Sequence, residues 1–157
     1  PDPERGLLKL VAVERHRGSG KVAVGALLGL GLRRGAMASS VAHDAHNLIA
    51  AGADDRSLLT ALRAVASQGG GFAVAQGEQV LARLPLPLCG LMSLEPPHRV
   101  AESLRGCLDA CRALGAELPD PLQALSFLSL SVIPHLRLTV NGLVEVGPPQ
   151  RLVPLGA

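Results

Sequence analysis

The sequence predicts an α/β fold of the α+β-like kind: a mixed β-sheet with β-hairpins, and about three helices packed on its faces. Three observations predict it. Short apolar runs alternate with helical patterns along the chain. Two pairs of those runs are joined by tight turn sequences, Gln76-Gly77-Glu78 and Asn141-Gly142. Segments 54–68 and about 97–114 carry apolar residues at helical spacing. Strands that interleave with helices but also form hairpins argue against a purely parallel, doubly wound sheet.

Each element has its own signal. Residues 7–13 (LLKLVAV) are apolar-rich and read as a strand, and the polar run 14–21 (ERHRGSGK) reads as a loop. Residues 22–32 (VAVGALLGLGL) are apolar with a β-branched start, which suggests a buried strand. Arg33-Arg34-Gly35 makes a turn, and residues 36–42 begin a strand that runs into VAHDAHN at 41–47. Asp54 or Asp55 can cap a helix over 54–68 whose core face is Leu58, Leu59, Leu62, Val65 and Ala66, and Gly69-Gly70-Gly71 stops it. Residues 72–75 and 79–84 form a hairpin that Pro85 and Pro87 end. A second helix starts near Pro96-Pro97 and buries Val100, Leu104, Cys107 or Leu108, Cys111 and Leu114. Asp120-Pro121 opens a third, short helix to about Leu128. Residues 136–140 and 143–146 close a second hairpin around Asn141-Gly142.

The bulk numbers narrow the function classes. A chain of 157 residues fits one domain with a real core. Apolar residues make up 48% and charged residues 18%, a globular balance. There is no Trp or Tyr, so Leu, Val, Ile and Ala must build the core. A net charge of +2, thinly spread, is too small a footprint for nucleic acid, and base-stacking aromatics are lacking. The longest uncharged run, 121–134, is too short to span a bilayer and is broken by Ser and Pro, so no membrane role is expected. Cys89, Cys107 and Cys111 are an odd, sparse set, which points away from a disulfide framework and toward a reducing, cytoplasmic compartment. The chain has no initiator Met and enters a strand-like run almost at once, as a piece of a longer protein would.

The densest chemistry lies at 41–47. His43, Asp44, His46 and Asn47 stand together in a chain with only five histidines. On a strand, Asp44 and His46 would share a face; on a helical turn, His43, His46 and Asn47 would cluster. Imidazole plus carboxylate suits Zn, Mn or Fe, so His43, Asp44 and His46 are candidate metal ligands. Asp beside His can also orient a tautomer. A structural role, tying a strand end to a loop, stands equally open. Gly18-Ser19-Gly20-Lys21 is no phosphate loop, because Arg15 and Val22 occupy positions where that motif needs Gly and Ser or Thr. Glu14, Arg15 and His16 just before it remain candidates to face a site.

Four separate stretches carry a resemblance. The run GLGLRRGAMASSVAHDAHNLIAAG (29–52) is similar to a signature of the C-terminal domain of adenine deaminases, members of the amidohydrolase superfamily. VAVERHRGSGKVAVG, LPLPLCGLMS and DPLQALSFLSLSVIPHLRLTVNGLVEV also resemble that family's segments, in order along the chain. Ala45 stands where the family usually has Ser. The resemblance implies that residues 1–157 are the C-terminal-like domain of an enzyme that hydrolyses adenine to hypoxanthine and ammonia in purine salvage. The metal, Mn or Fe with Zn possible, would sit mainly in a catalytic (β/α)8 barrel that this chain does not contain, since such a barrel takes about 250 residues. The fragment alone is then expected to be inactive, with adenine as substrate of the full-length enzyme, the barrel as its partner and a homo-oligomer as its assembly. Glu14, Arg15, His16, His43, Asp44, His46 and Asn47 would face the active site. The competing expectation is a free-standing, non-enzymatic domain that binds a metal or ligand or serves assembly.

Overall fold

A computed structural model describes residues 1–154. Along it run a 3-10 turn (Pro3–Arg5), strands β1 (Leu8–Val13), β2 (Val22–Leu27), β3 (Ala36–Ser39) and β4 (Leu48–Gly52), helix α1 (Asp55–Ser67), strands β5 (Gly71–Gln76) and β6 (Gln79–Pro85), helices α2 (Pro97–Ala113) and α3 (Pro121–Phe127), and strands β7 (Leu136–Thr139), β8 (Gly142–Glu145) and β9 (Arg151–Val153). The strands form a six-stranded sheet, order β2-β1-β4-β3-β5-β6, and a three-stranded sheet, order β7-β8-β9. Segregated helices on antiparallel sheets make this an α+β fold. Every pairing among the described strands is antiparallel, so the large sheet is not mixed in direction.

The two faces of the large sheet have different covers. On one face α1 lays Leu58, Ala61 and Val65 over Val11, Ala36, Ala38, Ala50, Ala73 and Ala75. Alternate residues of the same strands, among them Leu10, Ala12, Met37, Ile49, Ala51 and Val74, point the other way into the larger core with Cys107, Cys111, Leu122, Leu125 and Leu138. So many alanines let helix and sheet approach closely. At Gly52 even a Cβ would lie 2.6 Å from the Ala36 Cβ and 2.8 Å from Leu58.

Local signals place most elements. Asp54 caps α1, its Oδ1 accepting from the Ser57 N–H at 2.8 Å, and Asp120 caps α3 by accepting from the Gln123 N–H at 2.8 Å. The stripe that α1 buries is Ser57, Leu58, Ala61 and Val65, whereas Leu59 and Ala66 are exposed and Leu62 is half-buried. The buried serine belongs to the stripe because its Oγ donates to Asp54 and accepts from the Gly77 N–H. In α2, Cys107 and Cys111 are fully buried, with both thiols pushed up to about 12 by desolvation. They are core residues, not nucleophiles.

Three expectations are corrected. The buried strand read over 22–32 is β2, which stops at Leu27 and lies at the sheet edge, with alternate residues exposed. Gly29 and Gly31, at φ of +86° and +83°, turn the chain out of the sheet. The strand read over 36–42 ends at Ser39, and residues 41–47 are neither strand nor helix but a turn. Strands β4 and β9 are additions that the pattern did not announce.

Candidate functional site

Strand register alone brings the candidate residues together. Val13 at the end of β1 pairs with Val22 on one side and with Leu48 on the other, so the 14–21 loop and the 40–47 turn must emerge side by side. Ser39, the last residue of β3, pairs with Ile49 and Phe72 and sets the 40–47 turn at the same end of the sheet.

Within the 14–21 loop, Glu14 folds onto its own chain. Its carboxylate accepts from the backbone N–H groups of His16 (2.5 Å), Arg17 (2.8 Å) and Ser19 (3.1 Å), and from the Ser19 hydroxyl (3.0 Å). Desolvation pushes this carboxyl up, but the four donors outweigh it and hold its pKa at about 2. The loop N–H groups that a phosphate would need are thus occupied by the protein's own anion.

Arg15 ties three segments. Its guanidinium donates to the His46 carbonyl and the Cys89 carbonyl, both at 2.5 Å, and its backbone N–H donates to Asn47 Oδ1 at 3.2 Å. The guanidinium lies on Gly90, where a Cβ would sit 2.7 Å from it. His16 reaches across the same gap, with its Nε2 donating to the Ala45 carbonyl at 2.7 Å.

The two histidines of the 41–47 turn have different fates. His46 has a positive φ of 47°; its N–H donates to the Ala42 carbonyl and its Nδ1 accepts from the Ala42 N–H at 3.3 Å. Desolvation, then the nearby His43, Arg15 and His16, lower its pKa against the opposing pull of Asp44. It is held neutral with Nδ1 as the acceptor. His43 stacks on Phe127 at the end of α3 (centroids 5.0 Å, 29° between planes) and meets His46 edge-on at 5.5 Å. Its backbone is pinned from both sides: its N–H donates to the Ser126 carbonyl, and its carbonyl accepts from Ser129 Oγ, each at 3.0 Å. Asp44 is exposed at the mouth of a cavity of about 370 Å³. Ala12, Ile49 and Leu138 line its apolar part, and Asn47, Ser131, Thr139 and Asn141 supply polar groups.

All seven sequence candidates therefore meet at one end of the sheet. His43, Asp44 and His46 do not form a complete ligand set. Among the described residues no group of three His, Cys, Asp or Glu side chains is gathered to hold a metal ion. The Nδ1 of His46 is already spent on the backbone, so these residues do not fit a metal centre built by this chain alone. Sequence reasoning missed the support beneath the site. Ser40 is fully buried, its Oγ donating to the Gly90 carbonyl (2.5 Å) and accepting from the Gly71 N–H (2.7 Å). The Gly69-Gly70-Gly71 run, read only as a helix stop, was the available signal: at Gly71 a Cβ would lie 1.9 Å from the Leu84 carbonyl oxygen.

Among the described residues no helix is long and apolar enough to cross a membrane. A family model for the adenine deaminase C-terminal domain matches residues 1–149. Curated relatives named adenine deaminase are 53% identical over 92% of the chain in Oleidesulfovibrio alaskensis, 48% over 92% in Desulfatibacillum aliphaticivorans and 46% over 92% in Methanothrix thermoacetophila. The chain spans only about a quarter of the length of these relatives (25%, 26% and 25%). With its motifs in order and the match running from the 3-10 turn through β8, the chain belongs to the adenine deaminase C-terminal domain family.

Proposed function

We propose that this domain supports the hydrolytic deamination of adenine, in which water replaces the amino group to give hypoxanthine and ammonia. The reaction belongs to a longer polypeptide whose catalytic barrel precedes the domain. The supporting observation is the division of labour at the sheet end. Glu14, Arg15, His46 and Asn47 are spent on holding the loops, which leaves the His43 ring and Asp44 on the outer rim, beside an exposed His16 whose Nε2 is bonded to the Ala45 carbonyl. That rim presents two imidazoles and a carboxylate to whatever closes over it. The metal, Mn or Fe with Zn possible, is assigned to the barrel; among the described residues no three His, Cys, Asp or Glu side chains gather to hold it. The three free thiols fit a cytoplasmic setting. A homo-oligomeric parent is part of the same reading.

The test uses the full-length enzyme. His43→Ala and His16→Ala are each expected to lower kcat/KM for adenine at least tenfold while the metal content of the enzyme stays constant. Wild-type kcat/KM in both variants would remove the rim from the reaction.

A further inference from the structure

Among the described residues nothing covers one face of the edge strand β2. Helix α1 lies over β3, β4 and β5 and reaches Val11 of β1, and the edge strand β2 extends beyond it on the same face. Register puts Val22 opposite Val13, Val24 opposite Val11 and Ala26 opposite Lys9, so these side chains share that face. On β2 the opposite-facing residues, Ala23 and Gly25, are buried, and a Cβ on Gly25 would touch Leu138 of β7 at 3.4 Å. The α1-side residues are instead open: Val22 is 57% exposed and Val24 42%, and Leu28 just past the strand is 66% exposed. Lys9 closes the shelf on the α1 side through its ion pair with Asp55.

An apolar stripe on an edge strand is the arrangement that soluble proteins avoid unless something covers it. We propose that this β1–β2 shelf is the docking surface for the polypeptide that precedes the domain in the adenine deaminases. The inference rests on the reading that such a catalytic part exists. Two observations choose this occupant over a second copy of the chain. The relatives carry about three quarters of their length outside the matched region, and the family's own description makes the matched region C-terminal. The shelf also runs between the two places that part must reach. At its Leu8 and Leu27 end the chain enters the sheet from the Pro3–Arg5 turn. At its Val13 and Val22 end it meets the loop that carries Glu14, Arg15 and His16. A body lying on the shelf would arrive at the rim.

The test is thiol protection in the full-length enzyme. Val22→Cys and Val24→Cys, made separately, are labelled with a maleimide, and each labelled peptide is quantified by mass spectrometry. Leu152→Cys, 63% exposed on the far strand β9, is the reference. Both shelf cysteines are expected to label at least tenfold more slowly than the reference, at every enzyme concentration. Labelling at the reference rate would overturn the proposal. Protection that disappears on dilution would overturn it too, because a second copy would then be the cover. Two positions keep the test alive if one variant does not fold. Protection reports contact and not turnover, so it can stand even where the rim substitutions leave adenine deamination intact.

Discussion

Replacing Arg15 with Ala tests how the sheet end is held. The side chain makes two charge-assisted hydrogen bonds, to carbonyls 31 and 74 residues away in sequence. A hydrogen bond to a charged group contributes roughly 1.5–3 kcal/mol when shielded. The bond to His46 is part-buried and merits that range, while the bond to Cys89 is exposed and is discounted to about 0.5–1 kcal/mol for solvent competition. Together they stabilise the fold by about 2–4 kcal/mol. In a domain of this size 1 kcal/mol moves Tm by roughly 2–4 °C, so Arg15→Ala should melt about 4–16 °C lower. Hydrogen exchange should quicken at the residues the clamp holds, those around 45–47 and 89–90. Arg15→Lys should recover less than half of the loss, because an ammonium on a flexible stem does not span both carbonyls as the planar fork does. A Tm within about 1 °C of wild type, with unchanged exchange in both segments, would refute the clamp.

Two further predictions concern the support. Ser40→Ala removes a fully buried hydroxyl and leaves the Gly71 N–H and the Gly90 carbonyl each short of a partner, a loss of roughly 1–3 kcal/mol per buried group left unpaired, read by urea unfolding. Glu14 should give the 14–21 loop an acid-sensitive hold. Its folded pKa of about 2 lies below the ordinary 4.5, so the stabilisation is complete above 4.5 and fades as pH falls through about 2. An NMR titration of the carboxyl should find that low midpoint, and a midpoint near 4.5 would show that the loop does not grip it.

Elements with local signals were legible in the sequence. The caps at Asp54 and Asp120, the Asn141-Gly142 hairpin and the α2 face on Cys107 and Cys111 all depend on neighbours within a few positions. Strand β4 was hidden because all five of its residues are buried, so it lacks the alternation that marks a half-buried strand. Outside the two hairpins the order and direction of the pairings were likewise out of reach, since crossovers leave no local trace. At the site, the residue types and their cluster were visible, but their partners were not. His43 takes a hydrogen bond from Ser129, 86 residues later, and stacks on Phe127. No periodicity encodes a contact of that span.

That non-local wiring separates two kinds of residue that look alike in sequence. His46 and His43 are three positions apart, yet the fold uses them in opposite ways. His46 is turned onto the Ala42 backbone, kept neutral by its surroundings, and covered by the Arg15 clamp at its own carbonyl. His43 has its backbone fixed on both sides, so its ring stands on Phe127 without having to hold anything else. A residue that holds should lower stability when replaced, and turnover only through that loss. A residue that faces outward should lower turnover with stability intact. Arg15, Ser40 and Glu14 fall on the first side by their contacts, His43 and Asp44 lie at the rim, and His16 stands at the rim while also bonding the Ala45 carbonyl across the two loops. The same sheet register that forces the two loops together thus assigns the task of each, before any partner closes over them.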